Sequence, residues 1–297
     1  MWIQRLVVWA FLGLAAQPPG AGAAPAAPAN AGAEAGIVTI VEGEARMLRG
    51  TTWLRLVAGA RAQEADLFEL GDGAQVQVEL PRGGALCVFG PASTYVASVP
   101  AANAKDGAMD WTLTGGWVKA VATSGGTPIR LRTGAAVVDV ADGIVVAAVP
   151  PPARLFVESG SARVVLPVAR GREAPARELR AGDYWVRDGD TAPRIATRVA
   201  HDFVASMPRP LLDPLPTLAG RHTGPAPALR PVGEADLDDV DGWLGGPYRK
   251  AFVRRFTPRL GDPAFRADVE KNIGRFPEWD RVLHPDKYST EKSPAPR

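Results

Sequence analysis

The chain has 297 residues, 46% hydrophobic and 22% charged, so it is too apolar to be disordered as a whole and long enough for one or two packed domains. Its 32 glycines and 28 prolines argue against a helical bundle and are typical of a protein of short strands and turns. A net charge of +2, one cysteine and three histidines argue against a nucleic-acid-binding surface, an internal disulfide framework and a structural zinc site.

The N-terminus has the three-part layout of a secretory signal peptide. Arg5 precedes an apolar run, Leu6–Ala16, and the small residues Ala21-Gly22-Ala23 follow it. This layout predicts a signal peptide over residues 1–23 and export to the periplasm. The run is about half of the roughly 20 residues that a spanning helix needs, so we expect no stable transmembrane anchor.

Two further segments have compositions typical of unfolded chain. Residues 24–35 are rich in alanine and proline without periodicity, which predicts a flexible leader. Residues 289–297 are polar and contain proline, which predicts a disordered tail.

The region from 36 to 199 shows the punctuation of strands and turns, because short apolar runs or alternations are separated by Gly, Pro, Asp and Asn. The clearest strand is Ala74–Leu80, in which apolar residues alternate with Gln75, Gln77 and Glu79. The period of two predicts that the apolar set faces a core and the polar set faces water. Cys87, in the apolar stretch that follows, is expected to be a buried and inert thiol.

The same pattern predicts further strands, with Asp142-Gly143 and Ser159-Gly160 as turns that join neighbours. These strands are Gly36–Gly43, Ile129–Arg132, Ala135–Val140, Ile144–Val149, Arg154–Glu158 and Ala162–Leu166. Strands that return every 8–12 residues without helices between them indicate a mainly β fold, an antiparallel β-sandwich or roll.

Glycine-bounded motifs follow one another through this region in a definite order. They are Gly36-Ile-Val-Thr-Ile-Val-Glu-Gly43, Leu56-Val-Ala-Gly59, Leu67-Phe-Glu-Leu-Gly-Asp72-Gly, Leu113-Thr-Gly-Gly116-Trp, Pro128-Ile-Arg-Leu-Arg-Thr133-Gly, Val157-Glu-Ser-Gly160 and Leu179-Arg-Ala-Gly182. In this order they resemble a FecR-type domain, and the resemblance covers about half of the chain. It implies a Gram-negative periplasm and a regulator that relays iron-siderophore status to a sigma factor. We expect instead a stand-alone periplasmic form with a helical C-terminal extension.

Residues 200–236 are predicted to be a proline-rich connector. Seven prolines lie between Met207 and Pro231, and each removes a backbone donor and freedom in φ. The composition therefore predicts a stiff, extended segment without a regular helix or a central strand. Leucines at 211, 212, 215 and 218 could pack against the β domain.

Residues 237–288 change to helical spacing. The first predicted helix carries Leu237, Val240 and Trp243 and ends at Gly245-Gly246, and a second begins at Pro247. A third begins at Asp262-Pro263. The acidic run 236–241 does not match the spacing of an EF-hand loop, so we assign it to a helix N-terminus. Helices this short must pack on one another or on the β domain.

No catalytic, cofactor or metal site is predicted. His201, His222 and His284 are separated by connecting segments, and Ser159-Gly-Ser161 lacks the frame of a nucleophile elbow. We therefore expect a protein that is not an enzyme. An envelope hydrolase with facing carboxylates is the least favoured of the functions considered.

The leading hypothesis is an exported, non-catalytic binding, scaffolding or signalling module of the cell envelope with a protein partner. Its expected contact surfaces are an exposed sheet edge and the aromatic-basic face of Tyr248, Arg249, Phe252 and Arg255. The alternative is a glycan-binding β module whose sugar platform is drawn from the tryptophans at 53, 111, 117 and 185.

Overall fold

The structure is a computed structural model that describes residues 32–101, 104, 107–149, 151–167 and 175–289. The predicted signal peptide, leader residues 24–31 and tail residues 290–297 lie outside this range. Within it, no helix has both the length and the apolar character needed to cross a membrane.

Seventeen strands are present in the described part of the chain, and the fold is mainly β as predicted. In chain order they are β1 Glu34–Glu42, β2 Ala45–Arg49, β3 Thr52–Arg55, β4 Arg61–Gln63, β5 Leu67–Leu70, β6 Gln75–Glu79, β7 Ala85–Phe89, β8 Ala92–Ser98, β9 Met109–Leu113, β10 Trp117–Ala122, β11 Ile129–Arg132, β12 Val137–Ala148, β13 Ala153–Val165, β14 Arg177–Arg180, β15 Tyr184–Arg187, β16 Arg194–Ala196 and β17 Pro231–Glu234.

The strands form one continuous, open hydrogen-bonded network that folds over on itself into two layers. The first sheet has the order β4-β1-β6-β7-β10-β12-β13-β15-β16. The second sheet has the order β17-β3-β2-β5-β8-β9-β11-β12-β13-β14. Buried side chains from both sheets, such as Val78 and Val118 from the first and Phe68 and Trp111 from the second, form one core between the layers.

One strand pair departs from the antiparallel pattern that the sequence predicts. β9 and β11 run parallel, with Met109 opposite Ile129 and Thr112 opposite Arg132. The chain leaves β9, passes through β10 in the first sheet and returns to the second sheet as β11. Two strands of one sheet that are separated by a crossing through the other sheet run in the same direction.

Two of the predicted turns are wrong, because their residues lie inside the paired strands β12 and β13. Asp142-Gly143 and Ser159-Gly160 do not connect separate strands but lie inside two long ones, where Gly143 faces Gly160. Gly160 has a φ of +69°, and a Cβ there would stand 2.2 Å from the oxygen of Asp142. The glycines thus allow the hairpin to bend and to contribute one half of each strand to each sheet.

The prediction that the polar face of β6 meets water is also wrong. Gln77 is fully buried, and Gln75 and Glu79 are nearly so. The connector covers them: Gln77 Nε2 donates to the oxygen of Pro216 (2.8 Å), and Glu79 accepts from the backbone N–H of Leu218 (2.6 Å). The alternation is real, but Gln77 and Glu79 bind the backbone of the connector, and Gln75 Nε2 donates to the thiol of Cys87.

The prediction that the connector contains no regular helix is wrong. Two short helices, α1 His201–Ser206 and α2 Arg209–Leu212, are followed by a 3₁₀ turn at Ala219–Arg221 and by β17. Proline is tolerated in both settings: Pro210 lies in the first turn of α2, and Pro231 lies in an edge strand.

One apolar cluster fixes α1 and α2 on the outer face of the first sheet. Phe203 and Leu211 are fully buried against Cys87, Val146 and Tyr184. As predicted, Cys87 belongs to the core, and burial raises the pKa of its thiol to about 11. Of the four leucines proposed to hold the connector, Leu212 is exposed.

The outer face of the second sheet is covered by a helical layer. Its helices are α3 Leu237–Leu244, α4 Arg249–Phe256, α5 Pro263–Lys271, α6 Pro277–Leu283 and α7 Asp286–Ser289. Leu48, Trp53, Leu67 and Tyr95 of the sheet pack against the aromatic residues of α3 to α6. The short helices are therefore held by packing on the sandwich, as their length requires.

The helix starts follow the predicted capping signals. Asp236 and Asp239 form a reciprocal capping box at the start of α3, and the side chain of Asp262 accepts from the N–H of Ala264 at the start of α5. The prediction that the acidic run marks a helix N-terminus is confirmed. Asp239 also accepts from Trp53 Nε1 (2.9 Å), so the same carboxylate attaches α3 to β3.

Candidate partner-binding groove

The predicted aromatic-basic face turns out to lie at the contact between the helical layer and the second sheet. Phe252 is fully buried, and its ring lies 5.3 Å from that of Tyr95 and 5.7 Å from that of Trp243. An amphipathic helix predicts that an apolar stripe is covered, but the stripe alone does not say by what. Here it is covered by this chain's own β-sheet.

Arg255 connects the helical layer to the second sheet. Its guanidinium donates to the backbone oxygens of Leu48 (2.9 Å), Ala65 (2.8 Å) and Gly50. Burial lowers the pKa of Arg255 to about 10, although Tyr95 and Asp66 act in the opposite direction. In this conformation its donors bind backbone oxygens of the second sheet and its loops.

Arg249 is bound within the helical layer. Its Nε and Nη2 atoms lie 2.8 Å and 2.7 Å from the two carboxylate oxygens of Glu278, and further donors reach the oxygens of Leu244 and Arg275. This two-point geometry is the strong form of an arginine–carboxylate pair. Partner binding by Arg249, Phe252 and Arg255 stays a prediction, and it would require these contacts to open.

We predict that Glu278 titrates near pH 2 in the folded protein. The hydrogen bond from Arg249 lowers the pKa of Glu278 from 4.5 to about 2, more than burial raises it. The pKa of Glu278 is lower in the folded protein than in the unfolded chain. The stabilisation by the Arg249–Glu278 pair is therefore complete above about pH 4.5 and is lost as the pH falls towards 2. An NMR titration of labelled glutamate carboxyls measures this, and Arg249→Gln should return the pKa of Glu278 to its ordinary range. A Glu278 pKa that Arg249→Gln leaves unchanged would contradict the assignment.

The fourth predicted residue, Tyr248, lies at the wall of a groove between the sandwich and the helical layer. The groove has a volume of about 610 Å³. Its floor comes from β8, β9, β11 and β12, and its wall from the segment that joins α3 to α4. Its lining residues include Thr112, Arg132, Gly134, Gly242, Trp243 and Tyr248.

Four polar side chains of the groove are paired two by two. Arg132 Nε lies 2.9 Å and 2.8 Å from the two carboxylate oxygens of Asp110, and Arg132 Nη2 lies 2.7 Å from one of them. The hydroxyls of Thr112 and Tyr248 lie 2.6 Å apart. Burial raises the pKa of Tyr248, so its phenol stays protonated at neutral pH. The site thus offers apolar walls with oriented, neutralised polar groups.

The glycines that follow β11 and α3 are a sequence signal for this groove. Gly245-Gly246-Pro247 separates α3 from α4, and Thr133-Gly134 follows β11. The glycines in these segments have no side chain, so they leave space where two layers pack. Because only the fold brings these segments together, their meeting could not be predicted from spacing.

The tryptophans proposed as a sugar platform do not form one. Trp53, Trp111 and Trp185 are at most 2% exposed. Trp117 is half-buried, and its ring packs 5.0 Å from that of Phe203. No two of the four rings are therefore exposed together, and a platform of stacked sugars has no basis in them.

The histidines are likewise kept apart. His201 begins α1, His222 follows the 3₁₀ turn of the connector, and His284 lies 2.8 Å from Asp280 at the end of α6. Among the residues that the structure describes, no group of three or more His, Cys, Asp or Glu side chains is placed to hold a metal ion.

No protein-family model matches the chain, and no curated protein matches it. Two crystal structures of a proposed anti-sigma factor from Parabacteroides distasonis ATCC 8503 are similar to it. The one at 1.65 Å is 15% identical with a TM-score of 0.38, and the match covers 47% of this chain and 63% of that chain. The one at 2.50 Å is 16% identical with a TM-score of 0.38, and the match covers 47% and 62%. This chain thus spans less than two thirds of those structures.

Proposed function

We propose that this chain is an exported, non-catalytic module of FecR type that binds a partner protein in the cell envelope through the groove. The observation that carries the proposal is the groove itself. It is a concave site of about 610 Å³ with apolar walls, built between two packed layers. Its size falls in the range of pockets that hold ligands.

The chemistry of the groove supports binding rather than a reaction. Asp110 is held by Arg132 on both oxygens, and Thr112 is paired with Tyr248. A general base or a nucleophile needs a free lone pair directed at the substrate. Paired groups of this kind orient a bound segment and exclude water.

Export and periplasmic location rest on the sequence. The signal-peptide layout of residues 1–23 and the order of FecR-type motifs over 36–199 both support the proposal. Recovery of the protein from periplasm with a mature N-terminus near Ala24 is the expected result.

Glycine substitutions provide a sharp test of the groove. A Cβ at Gly134 would meet no atom within 4 Å, and its φ lies outside the left-handed region, so Gly134→Trp can fill the groove without backbone strain. Gly224→Trp is the matched control, because Gly224 is equally open but lies in the connector.

The measurement is site-specific photo-crosslinking in the full-length exported protein, with the crosslinking residue at the exposed rim position Ser98. We expect the Ser98 crosslink to a partner to be lost in Gly134→Trp and retained in Gly224→Trp. A crosslink that survives in Gly134→Trp would show that the groove is not the contact surface.

A further inference from the structure

The two sheets extend to different distances beyond the hairpin β12–β13. Past β13, the first sheet continues through β15 and β16, whereas the second sheet continues through β14 only. Among the described residues, β16 therefore has no strand opposite it in the other layer. Ile195 on β16 shows the consequence. It stands beside Trp185 of the core and faces the interior, yet it is 46% exposed.

A hollow of about 420 Å³ lies at this side of the sandwich, between β14 and β16. Val164, Trp185 and Ile195 are among its lining residues, and the lining is apolar apart from Arg177, an exposed residue at the start of β14. In a sandwich the facing sheet normally covers such interior side chains. One further strand beside β14 would cover this hollow.

The free side of β14 presents backbone groups to such a strand. The N–H of Ala181 donates to the oxygen of Gly160 on β13 (3.0 Å). Because alternate residues of an antiparallel pair bond to each other, Glu178 and Arg180 direct their N–H and C=O groups away from β13. Asp183 Oδ2 accepts from the Arg180 N–H (2.8 Å). In the described part of the chain, the Glu178 N–H is thus the donor open to a new strand.

The other sheet edges are less suited to accept a strand. β17 begins with Pro231, which has no N–H, and its register shifts between Pro231 and Gly233. β4 and β16 have three residues each, and Arg49 Nη2 already binds the backbone oxygen of Arg61 in β4. Short length, proline and bulges all keep an edge from pairing. β14 is therefore the edge that best accepts a partner.

The side chains on the outer face of β14 determine which residues an added strand should carry. Glu178 stands opposite Arg163 on β13, and Arg163 stands opposite Asp139 on β12, so charges alternate up to the edge. Arg180 stands opposite the uncharged Ser161. Directly opposite residues of two strands attract when their charges differ. A new strand should therefore place a basic residue opposite Glu178 and an acidic residue opposite Arg180.

A second copy of the folded chain does not fit this edge. β15 follows β13 in the first sheet as β14 does in the second, so β15 lies under β14. If β14 paired with β14 of a second copy, β15 of that copy would occupy the place where β16 already lies. The strand must therefore come from an extended segment that has no second layer of its own.

We infer that the free edge of β14 accepts an extended segment of a partner protein as a further strand of the second sheet. The residue opposite Glu178 is basic, the residue opposite Arg180 is acidic, and the apolar residue between them covers Ile195. An antiparallel segment then has the order acidic, apolar, basic, and a parallel segment has the reverse order. No residue of β14 lines the groove, so this contact surface goes beyond the proposed function.

A random twelve-residue peptide library displayed on phage, selected on the immobilised full-length protein, supplies the probe. We expect enriched peptides to carry one of the two charge orders. Glu178→Pro removes the N–H that faces the new strand, and it spares the bonds to β13, which do not use that N–H. A selected peptide, measured by fluorescence anisotropy, should bind Glu178→Pro at least about tenfold more weakly than wild type.

Two further measurements do not depend on the folding of the proline variant. Hydrogen exchange of the Glu178 amide in wild type should slow at least about tenfold when the peptide binds. Arg180→Glu should weaken the peptide about tenfold, and a peptide with lysine in place of its acidic residue should regain binding to Arg180→Glu. Arg266→Glu, at an exposed arginine of α5 that pairs with Glu270, is the matched control and should have no effect.

Several results would overturn the inference. Peptides that bind Glu178→Pro as well as wild type would do so, as would failure to enrich any peptide over Glu178→Pro. If those peptides lose binding to Gly134→Trp instead, they occupy the groove, and the proposed function stands while the inference falls. Peptides that ignore Arg180→Glu would contradict the charge order. Dimerisation of wild type that Glu178→Pro abolishes would make a second copy the occupant.

Discussion

Lys119→Met should lower the free energy of unfolding by about 3 kcal/mol. The ammonium of Lys119 is almost fully buried on the outer face of the first sheet, and it lies 2.8 Å from Glu158. It also donates to the backbone oxygens of Leu211 (3.0 Å) and Asp213 (3.1 Å), which end α2. One side chain therefore closes the connector over the sheet.

The size of the effect follows from what the substitution leaves behind. Methionine has nearly the same length, so no large cavity forms, but two backbone carbonyls and one carboxylate lose their donor. Removing one partner of a buried ion pair typically costs about 3–5 kcal/mol. We expect the lower end because the Glu158 side chain is 24% exposed and regains some hydration.

Urea unfolding followed by tryptophan fluorescence measures this difference. Lys271→Met is the matched control, because the Lys271 side chain is 72% exposed and pairs only with Asp268 three residues away. Its unfolding midpoint should stay close to that of the wild type, because an exposed ion pair contributes little to stability. Equal unfolding midpoints for the two variants would show that Lys119 does not hold the connector.

Asp239→Ala is expected to cost about 2–4 kcal/mol. The carboxylate completes the capping box of α3, accepts the indole N–H of Trp53 and lies 2.8 Å from Arg46. Burial raises the pKa of Asp239, but the hydrogen bonds from Trp53 and from the N–H of Asp236, with the nearby Arg46, outweigh burial and lower it. The substitution removes the cap and leaves a buried indole donor without an acceptor.

Asp238 offers a control in the same turn of α3. It is exposed and contributes only its charge near the helix N-terminus, so Asp238→Ala should cost less than about 1 kcal/mol. Thermal unfolding of both variants gives the comparison. If Asp238→Ala proved as destabilising as Asp239→Ala, the contact between Asp239 and Trp53 would not contribute to the stability of the protein.

Features that depend on neighbouring residues could be predicted from the sequence. The capping residues Asp236 and Asp262 mark helix starts because a side chain and an N–H two or three residues later must meet wherever the helix lies. The mainly β fold follows in the same way from alternation and turn residues. These signals are local, and the fold does not alter them.

Features that depend on what covers a surface could not be predicted. Gln77 and Glu79 have the period of a solvated strand face, and only the folded connector shows that backbone groups replace water there. Phe252 and Arg255 have the pattern of a binding surface, yet the second sheet is what they contact. Periodicity identifies a face, whereas the partner of that face is a long-range property.

The groove illustrates the same distinction. Gly134 and Gly246 are more than a hundred residues apart, and each on its own predicts only a turn. The space between them exists because the second sheet and the helical layer meet there. The motifs that resemble a FecR-type domain cover the sandwich only and do not predict the helical layer that forms the wall.

The long hairpin β12–β13 has a consequence for the order of folding. Its contacts join residues close in sequence, and it already contains a part of both sheets. Pairing Pro231 with Leu54, in contrast, must close most of the chain. Because short loops close at the lowest entropic cost, we expect the hairpin to form early and to serve as a template for both layers. Substitutions near Gly143 and Gly160 should then slow refolding, whereas those in β17 should mainly speed unfolding.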